Sequence, residues 1–150
     1  MDIPRALAFS RYATHALAAD PGLAETLVDT CARPFAWDNE RAALTAIAAE
    51  DDPRAHAIAL RGLRRRVFLH TLTRDLAGLA PLTEVCGAMT QLAELAMRSS
   101  VDLHARLLAG SHGEPLSAAD GTRQQLIVIW MGKLGGGELN VSSDIDLIFV

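Results

Sequence analysis

Residues 131–150, MGKLGGGELNVSSDIDLIFV, carry the pattern on which the reading of this chain turns. Gly135, Gly136 and Gly137 lie between two apolar runs, and Asp144 and Asp146 follow two residues apart in Ser-Ser-Asp-Ile-Asp-Leu-Ile-Phe-Val. Residues i and i+2 of a strand face the same side. The spacing therefore predicts a strand with both carboxylates on one side and Ile145 and Leu147 turned to the core. Adjacent carboxylates repel and call for a cation. Oxygen-only ligands favour Mg²⁺, which normally bridges to substrate phosphates. A glycine turn beside the acids lets backbone approach those phosphates closely. The combination points to nucleotidyl transfer.

The same residues admit other meanings. Lys133 precedes the glycines, whereas a phosphate-binding Walker loop ends in Gly-Lys-Ser/Thr, and no G-x-G-x-x-G register exists here. Asp-x-Asp by itself is commonly a pair of solvated acids on an edge strand. Ser142 and Ser143 could hydrogen-bond a phosphate or equally cap the turn into the strand. Lys133 could contact phosphate or be an ordinary solvated lysine. Glu138 reads as a short-helix residue supporting the loop.

The stretch Gly132-Lys133-Leu134-Gly135-Gly136-Gly137-Glu138-Leu139-Asn140, followed by Ser142-Ser143-Asp144-Ile145-Asp146-Leu147, resembles the signature of the bacterial bifunctional glutamine synthetase adenylyltransferase/adenylyl-removing enzymes. These belong to the DNA polymerase β-like nucleotidyltransferase superfamily and carry two such catalytic domains. The wording here is closer to the N-terminal, adenylyl-removing copy. Leu63-Arg64-Arg65-Arg66 and Thr73-Arg74-Asp75-Leu76-Ala77-Gly78-Leu79-Ala80 also look like that family's helical leader. Two positions depart from the pattern: Trp130 stands where a glycine is usual, and Val141 where an aromatic is usual.

The resemblance implies a set of roles. Asp144 and Asp146 would be the catalytic, metal-holding acids for Mg²⁺, joined by a third carboxylate from a later strand. Gly135, Gly136, Ser142, Ser143 and Lys133 would contact nucleotide or phosphate. The adenylyl-removing copy takes AMP from an adenylylated tyrosine of glutamine synthetase by phosphorolysis and releases ADP. The other copy adds AMP from ATP, and a PII-type signalling protein sets the balance.

A net charge of −4 gives no reason to expect nucleic acid as a partner. Cys31 and Cys86 make no disulfide framework or metal motif and read as inert thiols of a reducing compartment. The five histidines, His15, His56, His70, His104 and His112, never fall at helical ligand spacing, which argues against zinc. Acids and His15 come too early for a signal peptide, and the apolar run at 126–131 is too short for a bilayer. The expectation is a cytoplasmic protein without a membrane partner.

Residues 1–110 read as an Ala-, Leu- and Arg-rich helical leader. Pro4 and Ser10 bracket a first start, Leu23 to Cys31 is a short helix, and Asp38 is a plausible N-cap. Asp52-Pro53 is a strong start signal for a long helix ending near Gly78. A further helix runs from Pro81 to Leu108 with the stripe Val85, Met89, Leu92, Ala96, Ser99, Leu103 and Leu107. Residues 111–122 are a Gly-, Pro- and Ser-rich linker. Residues 123–150 begin an α/β (α+β) nucleotidyltransferase domain, with a buried strand from Arg123 to Met131 and truncation after the second strand. A fragment of that kind is expected to be inactive by itself. Arg61, Arg64, Arg65, Arg66 and Arg74 read as a wet helix face, or less simply as a site for an acidic partner. Two other functions stay open on sequence alone: a nucleotidyltransferase acting on another target, and a non-catalytic helical interaction module.

Overall fold

The computed structural model describes residues 3–150. The chain forms α1 (Ile3–Leu7), α2 (Arg11–Ala19), α3 (Gly22–Thr30), α4 (Asp38–Ala48), α5 (Pro53–Leu76) and α6 (Leu82–His112), then β1 (Val128–Trp130), α7 (Gly132–Gly135) and β2 (Leu147–Phe149). The fold is thus mostly helical, with one small two-stranded antiparallel sheet. No helix among the described residues is long and apolar enough to cross a membrane.

The central pair is α5 and α6. Asp52 caps α5, its Oδ1 accepting from the N–H groups of Arg54 (2.8 Å) and Ala55 (3.1 Å), and Pro53 occupies the first turn. The helix stops in a Schellman turn at Gly78, with Leu79 N donating to Arg74 O and Gly78 N to Asp75 O. The chain reverses and α6 runs back along α5. His56 near the start of α5 therefore meets Ser99 (Nε2 to Oγ, 3.1 Å), while Arg74 near its end meets Glu84.

Two apolar clusters lie on opposite flanks of this pair. Ile3, Leu7, Ala13, Leu27 and Cys31 pack α1–α3 onto Leu69 and Leu72 of α5. On the other flank, Leu44 of α4, Leu63 and Val67 of α5, and Met89 and Leu92 of α6 enclose Leu134 and Leu139 from the glycine-rich segment. That segment therefore shares a core with the helices, which fixes where it sits.

The structure corrects several expectations. Asp38 is the first residue of α4, not its cap; Trp37 precedes it without a side-chain bond. Helix α6 continues past Leu108 and through Gly110 to His112, and ends at Gly113, whose left-handed φ of +83° stops it. The strand before the glycines is shorter and barer than expected: Leu126, Ile127 and Ile129 are more than two-fifths exposed. Only one face of this hairpin, with Trp130 and Leu147, packs on the helical core. Ile145 is also exposed and precedes β2, because the Leu147–Trp130 pairing starts the strand two residues later.

Arg74 is not part of a wet face. It is 5% exposed, and its guanidinium holds Glu84 through two bonds (Nε–Oε1 2.5 Å, Nη2–Oε2 2.9 Å) and donates to Cys31 O (2.6 Å) and Leu79 O (3.1 Å). Arg66 instead pairs with Glu40, Arg65 reaches Asp20, and Arg64 lies over the Phe68 ring. Arg74→Ala leaves a carboxylate and two carbonyls without their donor, and should cost about 3–5 kcal/mol in urea unfolding. Leu92→Asp buries an unpaired charge in the second cluster and should cost several kcal/mol in the same assay, roughly the scale of a lost core side chain plus desolvation. Hydrogen exchange should be faster at 123–150, where two short strands hold each other, than at the centres of α5 and α6.

Candidate functional site

The glycine segment begins where β1 ends. Met131 N donates to Asp146 O (3.0 Å), which continues the β1–β2 ladder by one rung and sets Asp146 beside the start of α7. A Cβ on Gly132 would lie 3.9 Å from Asp146 Oδ2, so the carboxylate rests against the glycine backbone. Helix α7 then folds back on the strand it left. A Cβ on Gly135 would fall 2.5 Å from the Trp130 carbonyl oxygen, closer than any side chain can come. Only glycine allows this return.

The turn closes in a second Schellman motif. Glu138 N donates to Lys133 O (2.8 Å) and Gly137 N to Leu134 O (3.1 Å), with Gly137 in the left-handed region at φ +72°. Glu138 thus serves the loop through its backbone, just outside the four-residue helix. Leu134 and Leu139, on either side of this closure, are both buried and fasten it to α4, α5 and α6.

Between the turn and the acids, Asn140 organises the chain. Its Oδ1 accepts from Ser142 N (3.0 Å), Ser142 Oγ (3.2 Å) and Ser143 Oγ (2.8 Å), while Ser143 N donates to Asn140 O (3.2 Å). This Asx-type turn was not singled out in the sequence, although an Asn is a common place for a side chain to bond the backbone two residues on. Both serine hydroxyls therefore have a partner inside the loop.

The structure brings together Asp146, Gly132 and the turn containing Gly135 and Gly136. Asp144 stands exposed directly after the Asn140–Ser143 turn, and Asp146 is exposed at the foot of β2. Neither carboxylate has a hydrogen-bond or ion-pair partner among the described residues. Lys133 is exposed and forms no ion pair with them. No group of three or more His, Cys, Asp or Glu that could hold a metal occurs among the described residues. The expected strand carrying both acids on one side is not formed: Asp144 and Asp146 precede β2, and only Asp146 lies against the glycine backbone, at Gly132.

A helical body bearing a strand–glycine turn–strand unit with two such acids is an arrangement suited to phosphate chemistry. The family model for glutamate-ammonia ligase adenylyltransferase matches residues 1–150, and the chain belongs to that family. It is 47% identical over 148 residues to a bifunctional glutamine synthetase adenylyltransferase/adenylyl-removing enzyme of Nitrosomonas europaea, covering 96% of this chain and 16% of that protein. Proteins of the same name from Ralstonia nicotianae (44% over 151 residues, 99% of this chain) and Chromobacterium violaceum (45% over 148 residues, 99%) are similar, again over 16% of their lengths. The chain therefore spans about a sixth of the curated relatives it matches.

Two glycines can be tested separately. Gly135→Ala places a methyl group against the Trp130 carbonyl and should destabilise the loop by about 1–3 kcal/mol. Gly137→Ala forces a side chain into left-handed backbone and should cost about 1–2 kcal/mol. Hydrogen exchange at Met131 N and Glu138 N reads both, with the larger effect at Gly135.

Proposed function

We propose that this chain is the N-terminal part of an enzyme that regulates glutamine synthetase by removing and adding AMP, and that it supplies two acids of the adenylyl-removing site. The observation that carries the reading is the Met131–Asp146 rung, which sets one acid against the glycine turn while the turn is locked to the helical core. The names of the relatives support the substrate, and the oxygen-only character of Asp144 and Asp146 suits Mg²⁺.

Asp144 and Asp146 would hold the Mg²⁺, and a bound Mg²⁺ would neutralise phosphate charge and orient the displacement. The chain's own part is electrostatic and positional. The two carboxylates supply negative charge at a fixed point of the loop. The backbone of Gly135 and Gly136 leaves room for phosphate oxygens to approach. Lys133 would add a positive charge for phosphate. Ser142 and Ser143, bound to Asn140, would hold the acid-bearing segment in register and could turn a hydroxyl toward phosphate only by giving up that bond. Glutamine synthetase, ATP, ADP, phosphate and a PII-type regulator are the partners this reading requires.

The test uses a longer chain containing the complete catalytic domain. Asp144→Asn and Asp146→Asn should each lower Mg²⁺-dependent, phosphate-dependent release of ADP from adenylylated glutamine synthetase by roughly a hundredfold or more, the scale expected when one charge-stabilising group is lost from a preorganised site. Circular dichroism and the melting temperature should stay unchanged, since both side chains are exposed. Wild-type turnover in either variant would remove the metal-holding role. The 150-residue chain should show no turnover, because among the described residues no third carboxylate joins Asp144 and Asp146 in a metal-holding group.

A further inference from the structure

Helix α3 ends against α5. His70 and Arg74, one turn apart on α5, reach consecutive carbonyls at that end: His70 Nε2 lies 3.3 Å from Thr30 O, and Arg74 Nη1 lies 2.6 Å from Cys31 O. The last carbonyls of a helix lack intrahelical partners and carry partial negative charge, so two donors are well placed there. For His70 to donate from Nε2 as a neutral ring, its other nitrogen must carry the lone pair. That atom, Nδ1, is buried and has no hydrogen-bond partner, and the ring stands edge-on to Phe35 at 5.4 Å.

A proton on Nδ1 would make a buried donor with no acceptor. The charged neighbours give no acceptor for that proton, and the attraction of Glu84 is outweighed by burial and Arg74. On α5 itself Arg74 is a second cation, and on α6 Glu84 is already held by two bonds from Arg74. From α3 the ring meets only the Thr30 carbonyl, with the Cys31 thiol and carbonyl next along. We propose that His70 is a proton-operated clasp: the neutral ring fastens the C-terminus of α3 to α5, and protonation loosens the α1–α3 layer while the α5–α6 pair persists.

The titration runs in the matching direction. Burial first, and then Arg74, lowers the His70 pKa below its ordinary 6.5, against a smaller upward pull from the Thr30 carbonyl and Glu84. The detached layer therefore binds more protons than the clasped one. The clasp is at full strength well above 6.5 and weakens as the pH falls through 6.5 toward the lowered value. His56, the other buried imidazole with a lowered pKa, lies at the far end of α5 on Ser99, so its protonation bears on the α5–α6 pair instead.

Hydrogen exchange of the whole chain at about pH 7.5 and about pH 5.5, corrected for intrinsic rates, tests the proposal. Protection at 22–31 should fall relative to the centre of α6 on acidification, on the order of tenfold per unit of pKa depression. His70→Gln keeps a donor without a titrating ring and should abolish the change, whereas His56→Gln should leave the α3 response as in the wild type. A uniform loss across the chain, or an undiminished α3 response in His70→Gln, would overturn the clasp. Should that variant fail to fold or lose α3 protection at both pH values, an NMR titration of the wild-type ring decides: a His70 pKa at or above 6.5 rejects the proposal and a lower one supports it.

Discussion

The guanidinium of Arg74 is the point at which the helical body is tied together. It takes Glu84 from the first turn of α6, a carbonyl from the end of α3 and a carbonyl from the α5–α6 turn, and it does so at 5% exposure. A buried cation is tolerable only when nearly every N–H has an acceptor. That requirement fixes the approach of three segments at once. Its planar fork suits the task better than a lysine ammonium could, because the bidentate grip on Glu84 and the two carbonyl contacts lie in set directions. With the α5–α6 turn pinned at this end, the two helices run back together and present Leu63, Val67, Met89 and Leu92 as one apolar surface.

The glycine loop depends on that surface. Leu134 and Leu139 insert into it from either side of the glycine turn, so the turn is positioned by hydrophobic burial, while its shape is set by backbone bonds and by the close return of Gly135 onto Trp130. The two devices divide the work. Apolar anchors decide where the loop lies relative to the helices, and glycine decides how tightly the chain can reverse. Trp130 takes part in both, with its carbonyl under Gly135 and its ring between the core and the Arg98 guanidinium, 5.9 Å from the ring centre. The bulky Trp130 side chain is thus accommodated on the helical face of the hairpin.

The acids contrast with this packed side. Asp144 and Asp146 stand in solvent, and the hairpin face beside Asp146 also exposes Ile129, Ile148 and Val150. Neither carboxylate has an ion-pair partner among the described residues. The Asn140 turn holds Ser142 and Ser143 through neutral hydrogen bonds and so orders the backbone before the acids.

Much of the chain could be read locally. The Asp52-Pro53 cap, the Gly78 ending, the Val85–Met89–Leu92–Leu103 stripe and the glycine and aspartate residues of the loop are written in neighbours three or four positions apart, or in single conformational demands. The family was legible for the same reason, since its wording lies within the contiguous run 132–147. What the sequence did not show were partners far apart along it. Arg74 looked like a surface charge until Cys31, 43 residues away, was seen to accept from it, and His56 found Ser99 across the same separation. The short reach of β1 and the exposure of Ile145 were likewise hidden, because period-two alternation marks two faces and is silent on which one receives a cover. The sequence determined both ends of α5, the glycine turn and the candidate acids, whose causes are local. Burial of charge, the pairing register and the seating of Asp146 against Gly132 were decided by tertiary structure, because each requires a surface assembled from residues that meet only after the chain has folded.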